Sequence, residues 1–308
     1  MIGTLPGTPP RARTLSTCLA CGTRVESEEA RVACGECGLA LARDPGGFLA
    51  AVEEPSEVAY PHEGADLTFA VEEGSFWFRH RNRVLAALVA RHPPDGPLWD
   101  VGGGNGFPAR YLQERGVPVV VVEPGRAGCA NAASRGVERV VRSTLEGLRL
   151  RDGVLRAASL LDVLEHLADP APLLAECRRV LVPGGRLFVT VPAYEFLWSD
   201  EDVYARHFRR YTRRALLREL AGAGFTPLYL GYYFQALVLP ILFLRTMPYR
   251  LFPGRPQHQG NAMDPSEHTP GRLSRAVLEK LLESELHAIR LGARLACGSS
   301  VVAVAERR

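Results

Sequence analysis

Residues 98–107 read Leu-Trp-Asp-Val-Gly-Gly-Gly-Asn-Gly-Phe. A four-residue apolar run that breaks into glycines reads as a buried strand reaching its end. The glycines let the backbone turn tightly and approach a ligand. A helical pattern from Pro108 to Arg115 then puts a helix N-terminus beside the turn, where negative charge is favoured. A dinucleotide site would take the spacing G-x-G-x-x-G/A, whose last place is Phe107 here. The spacing present is G-x-G-x-G, with Asp100 before it.

Outward from this turn, strands and helices alternate. Strands are expected at 98–101, 117–122, 139–141, 155–161 and 186–191, with helices at 108–115, 127–135 and 172–181 between them. Helices of this length between strands mean a parallel, doubly wound α/β sheet. A helix over Phe76–Ala90 precedes it. A helix at Thr212–Ala223, a strand near Pro227–Tyr233 and a closing strand Ser300–Ala305 follow. Glu123 and Pro124 close the second strand, where a carboxylate can accept from two ribose hydroxyls. Ser143 and Thr144 close the third, with backbone groups able to meet an adenine edge; a plain helix cap at Ser143 reads equally well. Asp162-Val-Leu-Glu165-His166 follows the fourth strand. All these ends fall on one edge of the sheet, where open α/β folds bind ligands.

Taken together, Phe76-Trp77-Phe78-Arg79, DVGGGNG at 100–106, VVEP at 121–124, LLDVLEHL at 160–167, LVPGGRLFVTVPA at 181–193, LWSDED at 197–202 and HFRRYT at 207–212 carry a resemblance. The chain resembles a class I S-adenosylmethionine-dependent methyltransferase of the bacterial group associated with sugars, polysaccharides and secondary metabolites. The resemblance implies a Rossmann-like, mostly parallel, seven-stranded sheet with S-adenosylmethionine as co-substrate. It implies that Gly102, Gly104 and Gly106 line the methionine part, Glu123 holds the ribose and Asp162 borders the sulfonium, with Asp100 also among the donor-binding residues. Arg79 or Arg81 would clamp the methionine carboxylate.

The second strong pattern is Cys18-x2-Cys21-x12-Cys34-x2-Cys37. Four thiolates at this spacing make a closed tetrahedral zinc site, which lets a module too small for its own core hold together. With no open ligand position, the Zn2+ is structural. Domains are expected at 1–15 (disordered), 16–61 (zinc ribbon to about Pro45, then a linker) and 62–308. Within the last, 235–295 reads as a substrate cover, with a Pro- and Gly-rich turn region at 253–271 and an amphipathic helix Leu273–Leu291.

Composition narrows the function classes. The chain has 308 residues, 46% hydrophobic and 23% charged, with net charge +3, an ordinary globular balance. No signal peptide is read, and the longest apolar stretch, Leu228–Leu244, falls short of the ~20 residues a membrane span takes. A cytoplasmic protein is expected, with weak membrane contact at most, because few basic residues flank that stretch. Nucleic acid is disfavoured as a partner: between its outer cysteines the ribbon has Arg24 and Arg31 against Glu26, Glu28, Glu29 and Glu36. Two alternatives stand beside the main reading: an rRNA base methyltransferase gripping RNA with the ribbon, against which this acidic excess weighs, and a non-catalytic binding module, against which the intact glycines and Glu123 weigh.

The expected acceptor is a small molecule, a sugar or secondary metabolite, methylated on oxygen rather than carbon. His207 is the first candidate base, His166 the second and Tyr211 the third. His166 reads as well as a packing or capping residue one turn into a helix. Arg206, Arg209, Arg210, Arg213 and Arg214 read either as a solvated face or as a clamp for an anionic acceptor.

Overall fold

The computed structural model describes residues 17–25, 27–28, 31–51, 62–252 and 272–308. The expectations for residues 1–15, for 52–61 as linker and for the turn region 253–271 lie outside the described residues. Four short strands come first: β1 (Ser27–Glu28), β2 (Arg31–Ala33), β3 (Ala40–Arg43) and β4 (Leu49–Ala51). Two helices, α1 (His62–Glu72) and α2 (Phe76–Arg91), lead into the alternating body. This runs β5 (Leu98–Val101), α3 (Phe107–Gln113), β6 (Val119–Glu123), α4 (Arg126–Ser134), β7 (Val140–Arg142), β8 (Leu155–Leu161), α5 (Ala171–Val180) and β9 (Leu181–Pro192). After α6 (Asp200–Tyr204), α7 (Arg213–Gly222) and β10 (Phe225–Tyr233) come a helical segment over 238–251, the long helix Arg272–Arg290 and β11 (Ser300–Arg307).

The strands lie in the order β1-β2-β3-β4-β7-β6-β5-β8-β9-β11-β10. Strands β7 to β9 run parallel, and β11 inserts antiparallel between β9 and β10. Successive side chains on a strand point to opposite faces, so each buried strand feeds two cores. Trp99, Val101, Val120 and Val122 pack on one face with Leu174 of α5 and Leu216 and Leu220 of α7. Leu98, Val119 and Val121 pack on the other with Leu85 and Leu88 of α2 and Leu286 and Ile289 of the long helix. The chain leaves β5 for β6 on one side and returns as β8 on the other, which opens a crevice beyond the strands' C-terminal ends.

Three sequence expectations change. Helix 172–181 and strand 186–191 are not elements joined by a Pro183-Gly184-Gly185 turn: β9 starts at Leu181, and its register to β8 jumps from Leu155↔Leu181 to Ala157↔Arg186, so these residues form a bulge inside the strand. The stretch past Pro45 is not all linker, because Leu49 and Ala50 pair parallel with Val141 and Arg142 and join the ribbon to the sheet. Finally, the helix expected in the cover over 235–295 flanks the sheet instead. It packs on α2, with Leu282, Leu286 and Ile289 buried and Glu285 2.8 Å from His80 Nε2. Its apolar stripe has a partner in α2, which fixes it on that flank.

Candidate active site

The glycine turn divides its labour. Gly102, Gly104 and Gly106 all have φ between 51° and 71°, the left-handed region that penalises a Cβ. At Gly104 an added Cβ would meet nothing within 4 Å, so this position faces open space. At Gly106 it would lie 2.8 Å from Ala132 and from Val137, so this glycine lets α3 and α4 approach and does not line the crevice. Gly102 is intermediate, with Val163 Cγ2 at 2.9 Å.

Asp100 is buried below the turn. Its Oδ1 accepts from Ser159 Oγ at 2.7 Å, and its Oδ2, under Gly103, has no partner among the described residues. Burial outweighs the Ser159 bond and pushes its carboxyl up to about 6. Glu123 Oε2 accepts from the Gly104 N–H at 2.9 Å and Oε1 from the Gly125 N–H at 2.7 Å. A carboxylate has about four acceptor sites, so two stay open beside Gly104. Burial raises its carboxyl while the two N–H groups lower it, with a net upward shift. Pro124 is half-buried next to it. The cap at the end of β7 belongs to Thr144, whose Oγ1 accepts from the Gly147 N–H at 3.0 Å; Ser143 is buried, with its N–H on Glu123 O at 3.2 Å.

At the end of β8, Asp162 has φ 55°, a strained conformation for a residue other than glycine. Arg81 Nη1 donates to its Oδ2 at 2.7 Å and Thr190 Oγ1 to its Oδ1 at 3.0 Å. Arg81 is buried by α2 and committed to this pair, whereas Arg79 is half-buried and bonds Glu73 O at 3.3 Å. Of the two arginines read from sequence, Arg81 is the one brought to the strand ends.

Tyr194 (φ 60°) and Phe234 (φ 62°) repeat the strain just past β9 and β10, on the same sheet edge. Tyr194 stacks on Tyr232 and Phe196, and Phe234 on Trp77, with centroids 4.9 to 5.4 Å apart. Glu285 of the long helix accepts from the Phe234 and Gln235 N–H groups at 2.7 and 2.8 Å, so this flanking helix holds the turn. The sequence reading missed these aromatic residues; LGYYF at 230–234, running past a strand end, was the available signal. It also missed α1, which is tied to the glycine turn through Asn105 Nδ2 on Ala65 O (2.8 Å) and to α4 through Arg135 on Glu72 (2.7 Å).

A titratable cluster lies in the segments that follow β8 and α6. His207 Nδ1 is 2.8 Å from Asp202 Oδ1, and Arg210 grips both Asp202 oxygens at 2.8 Å. Burial works against the Asp202 charge, but these partners win and hold its carboxyl below the usual range. The His166 ring stands edge-on to His207 at 4.7 Å, and burial and then His207 pull its pKa down to about 4. His166 ends a 3-10 turn, Leu164–His166, in place of the expected helix.

Tyr211 does not join them. Its main chain bonds Pro192 and Tyr194, and its ring is 1% exposed in the core, so a catalytic role is corrected to a packing one. The anion clamp is corrected in the same way for Arg209, Arg210 and Arg213. Arg209 bonds Leu167 O and Ala168 O, Arg210 bonds Asp202, and Arg213 bonds Leu295 O.

The four cysteines converge. Cys18 Sγ is 3.4 Å from Cys37 Sγ, Cys21 Sγ is 3.5 Å from Cys34 Sγ, and all four lie within 4.8 Å of one another. A tetrahedral site with Zn–S of about 2.3 Å has S···S edges near ~3.8 Å, so the thiols fit one. The knuckle sits on the loop after β7. Arg151 N–H donates to Cys37 O at 2.8 Å, and Leu39 and Leu41 share a core with Leu145, Leu148 and Leu150.

Comparison with known proteins agrees with this architecture. The family model described as methyltransferase domain matches residues 75–230. A probable S-adenosylmethionine-dependent methyltransferase of Mycolicibacterium smegmatis is 29% identical over 54% of this chain and 66% of its own. A ubiquinone biosynthesis O-methyltransferase of Hahella chejuensis is 34% identical over 31% of this chain and 42% of its own. The chain thus spans about 40 to 66% of the length of the first curated relatives it matches. Among solved structures, phosphoethanolamine N-methyltransferase 2 of Haemonchus contortus, in complex with S-adenosylmethionine, aligns at TM-score 0.50 and 18% identity, over 80% of this chain and 57% of that one. A complex of a Haloferax volcanii methyltransferase activator with a putative methyltransferase aligns at TM-score 0.51 and 17% identity, over 80% and 96%. Those two likenesses show the fold, and the match over residues 75–230 shows the family: the chain belongs to the methyltransferase-domain family of class I S-adenosylmethionine-dependent methyltransferases.

Proposed function

We propose that the protein moves a methyl group from S-adenosylmethionine to an oxygen of a small-molecule acceptor, a sugar or other metabolite. The observation that carries this is Glu123, half its acceptor capacity in use, beside the open face of Gly104 at a strand-order reversal. Its free sites suit the two ribose hydroxyls, and Ser143 and Thr144 border the adenine. Asp162, held by Arg81 and Thr190, presents a carboxylate to the sulfonium end.

The donor is already activated, so the chain's contribution is alignment, worth up to ~7–11 kcal/mol in favourable cases. Phe196, exposed at the end of the Tyr232–Tyr194–Phe196 stack past β9, offers an apolar face to an acceptor. His207, oriented by Asp202, takes up the acceptor's proton. The cover is the segment 238–251 alone, fastened by Arg245 to Glu201 at 2.5 Å and by Thr246 Oγ1 to Leu197 O at 3.0 Å. No helix among the described residues is long and apolar enough to cross a membrane.

Cys18, Cys21, Cys34 and Cys37 hold a structural Zn2+ in this reading, fixing the ribbon against the loop that borders the adenine. Elemental analysis should find one zinc per chain, lost in Cys34→Ser with Cys37→Ser. A donor-turnover screen across nucleotide sugars, glycosides and small phenols tests the activity. Formation of S-adenosylhomocysteine with a sugar or phenol supports the reading, and donor binding without turnover on any member removes the acceptor class.

A further inference from the structure

A second group of metal-ligating side chains stands apart from the cysteines. Glu165, His166 and His207 place one ligand atom each within 4.8 Å of one another. Two imidazoles and a carboxylate form the set that binds mid-series divalent cations and leaves positions open for a substrate. Three observations indicate a built site.

Glu165 is 1% exposed, and its Oε2 has no hydrogen-bond partner among the described residues. The nearby Arg210 is committed at both ends to Asp202. A carboxylate buried without its own counter-charge is costly, and a cation removes that cost. Asp202 is fully buried and takes His207 Nδ1 at 2.8 Å, which leaves Nε2 as the ligand atom. A carboxylate behind a ligating histidine is the usual outer partner that fixes ring and tautomer. The frame is also set in advance: the Phe208 N–H donates to Glu165 O at 2.7 Å and ties the two segments together, and the His207 N–H donates to Asp202 O at 2.8 Å and fixes the second segment's own turn.

We propose that Glu165, His166 and His207 bind a divalent cation such as Mn2+ or Fe2+, oriented by Asp202, and that the cation takes the acceptor through vicinal oxygens. The proposal rests on the methyl-transfer function above and deepens it. The site begins three residues after Asp162, on the acceptor side of the donor crevice. An acceptor hydroxyl bound there loses its proton more readily, as metal-bound water does. The proton passes to solvent, the oxygen forms the new C–O bond, the C–S bond breaks, and S-adenosylhomocysteine leaves. In that state His207 is a ligand, which replaces proton uptake by the free imidazole.

Manganese is the probe, since a hard ion leaves thiolates to zinc. The full chain is purified with its zinc and titrated with Mn2+, and the free-ion paramagnetic resonance signal is followed. The expected result is one Mn2+ bound per chain, with affinity at least tenfold weaker in Glu165→Gln and in His207→Ala. Asp202→Asn should weaken it about 10–100-fold. Circular dichroism melts of each variant separate lost ligands from lost fold. Free Mn2+ undiminished by the native chain, or equal affinity in folded Glu165→Gln and His207→Ala, overturns the proposal. Donor calorimetry on the same samples tells the two readings apart: donor bound without manganese sinks the cation site alone, whereas absent donor binding sinks the methyl-transfer reading.

Discussion

In the proposed function, the donor and acceptor sides of the crevice are built by different means. On the donor side, backbone does most of the work: three left-handed glycines, N–H groups on Glu123, and strand ends set by runs of buried valine. On the acceptor side, side chains from distant segments converge: Glu165 and His166 after β8, Asp202, His207 and Arg210 some forty residues on, and Phe234 held by Glu285. A backbone-built site tolerates change except where a Cβ intrudes or where one side chain, here Glu123, ties the backbone to the ligand. A side-chain-built site fails with any one of its members.

The largest effect should fall on the acceptor side. His207→Ala should lower turnover by ~10²–10⁴ with donor affinity unchanged, whether the imidazole acts as base or as ligand. Wild-type turnover at saturating acceptor would move the chemistry elsewhere, first to His166.

Gly104 and Gly106 sharpen the contrast within the donor side. Gly106→Val forces a branched side chain against Ala132 and Val137 in the left-handed region, and should cost about 3 kcal/mol or more in denaturant melts. At Gly104 an added Cβ meets nothing within 4 Å, so Gly104→Val should cost less stability than Gly106→Val, mainly the backbone strain of about 1–2 kcal/mol, with donor binding abolished. Equal destabilisation by the two would contradict the division of roles.

Asp100 supplies a pH test. Its carboxyl is raised from 3.8 to about 6, so the folded state binds this proton more tightly than the unfolded state does. The penalty is absent below about pH 4 and complete above about pH 6, where it is worth on the order of 3 kcal/mol. The native chain should therefore lose stability relative to Asp100→Asn as pH rises through that window. A constant difference between the two would show the carboxyl titrating normally.

The smallest effect belongs to the ribbon. Asp44 pairs with Arg126 through two bonds of 2.9 and 3.0 Å, and Arg126 is largely exposed. Asp44→Ala should cost about 1 kcal/mol or less and leave the zinc content unchanged. Loss of zinc would show that docking to α4 maintains the knuckle.

How much the sequence revealed follows the same divide. Local patterns announce a backbone-built site, because the glycine spacing and the valine run at 119–122 act within a few residues of where they stand. The four-cysteine knuckle was legible for that reason too. Its fusion with the sheet was not, since Leu49–Ala51 is three residues long and has no period to read. The acceptor side depends on long-range pairings such as Glu285 with His80 and Phe234, which no local pattern encodes. Tyr211 misled for a related reason: it neighbours His207 in sequence, but the chain turns its ring into the core.

In the proposed function Glu123 holds the donor's ribose at the open face of Gly104. Calorimetric titration of S-adenosylmethionine into the native chain and into Glu123→Ala tests it most directly. One donor per native chain is predicted, with affinity lowered in the variant by about 1.5–3 kcal/mol for each donor bond lost, and a folded variant that melts lower because the Gly104 and Gly125 N–H groups lose their acceptor. Equal affinity in the two would contradict the account.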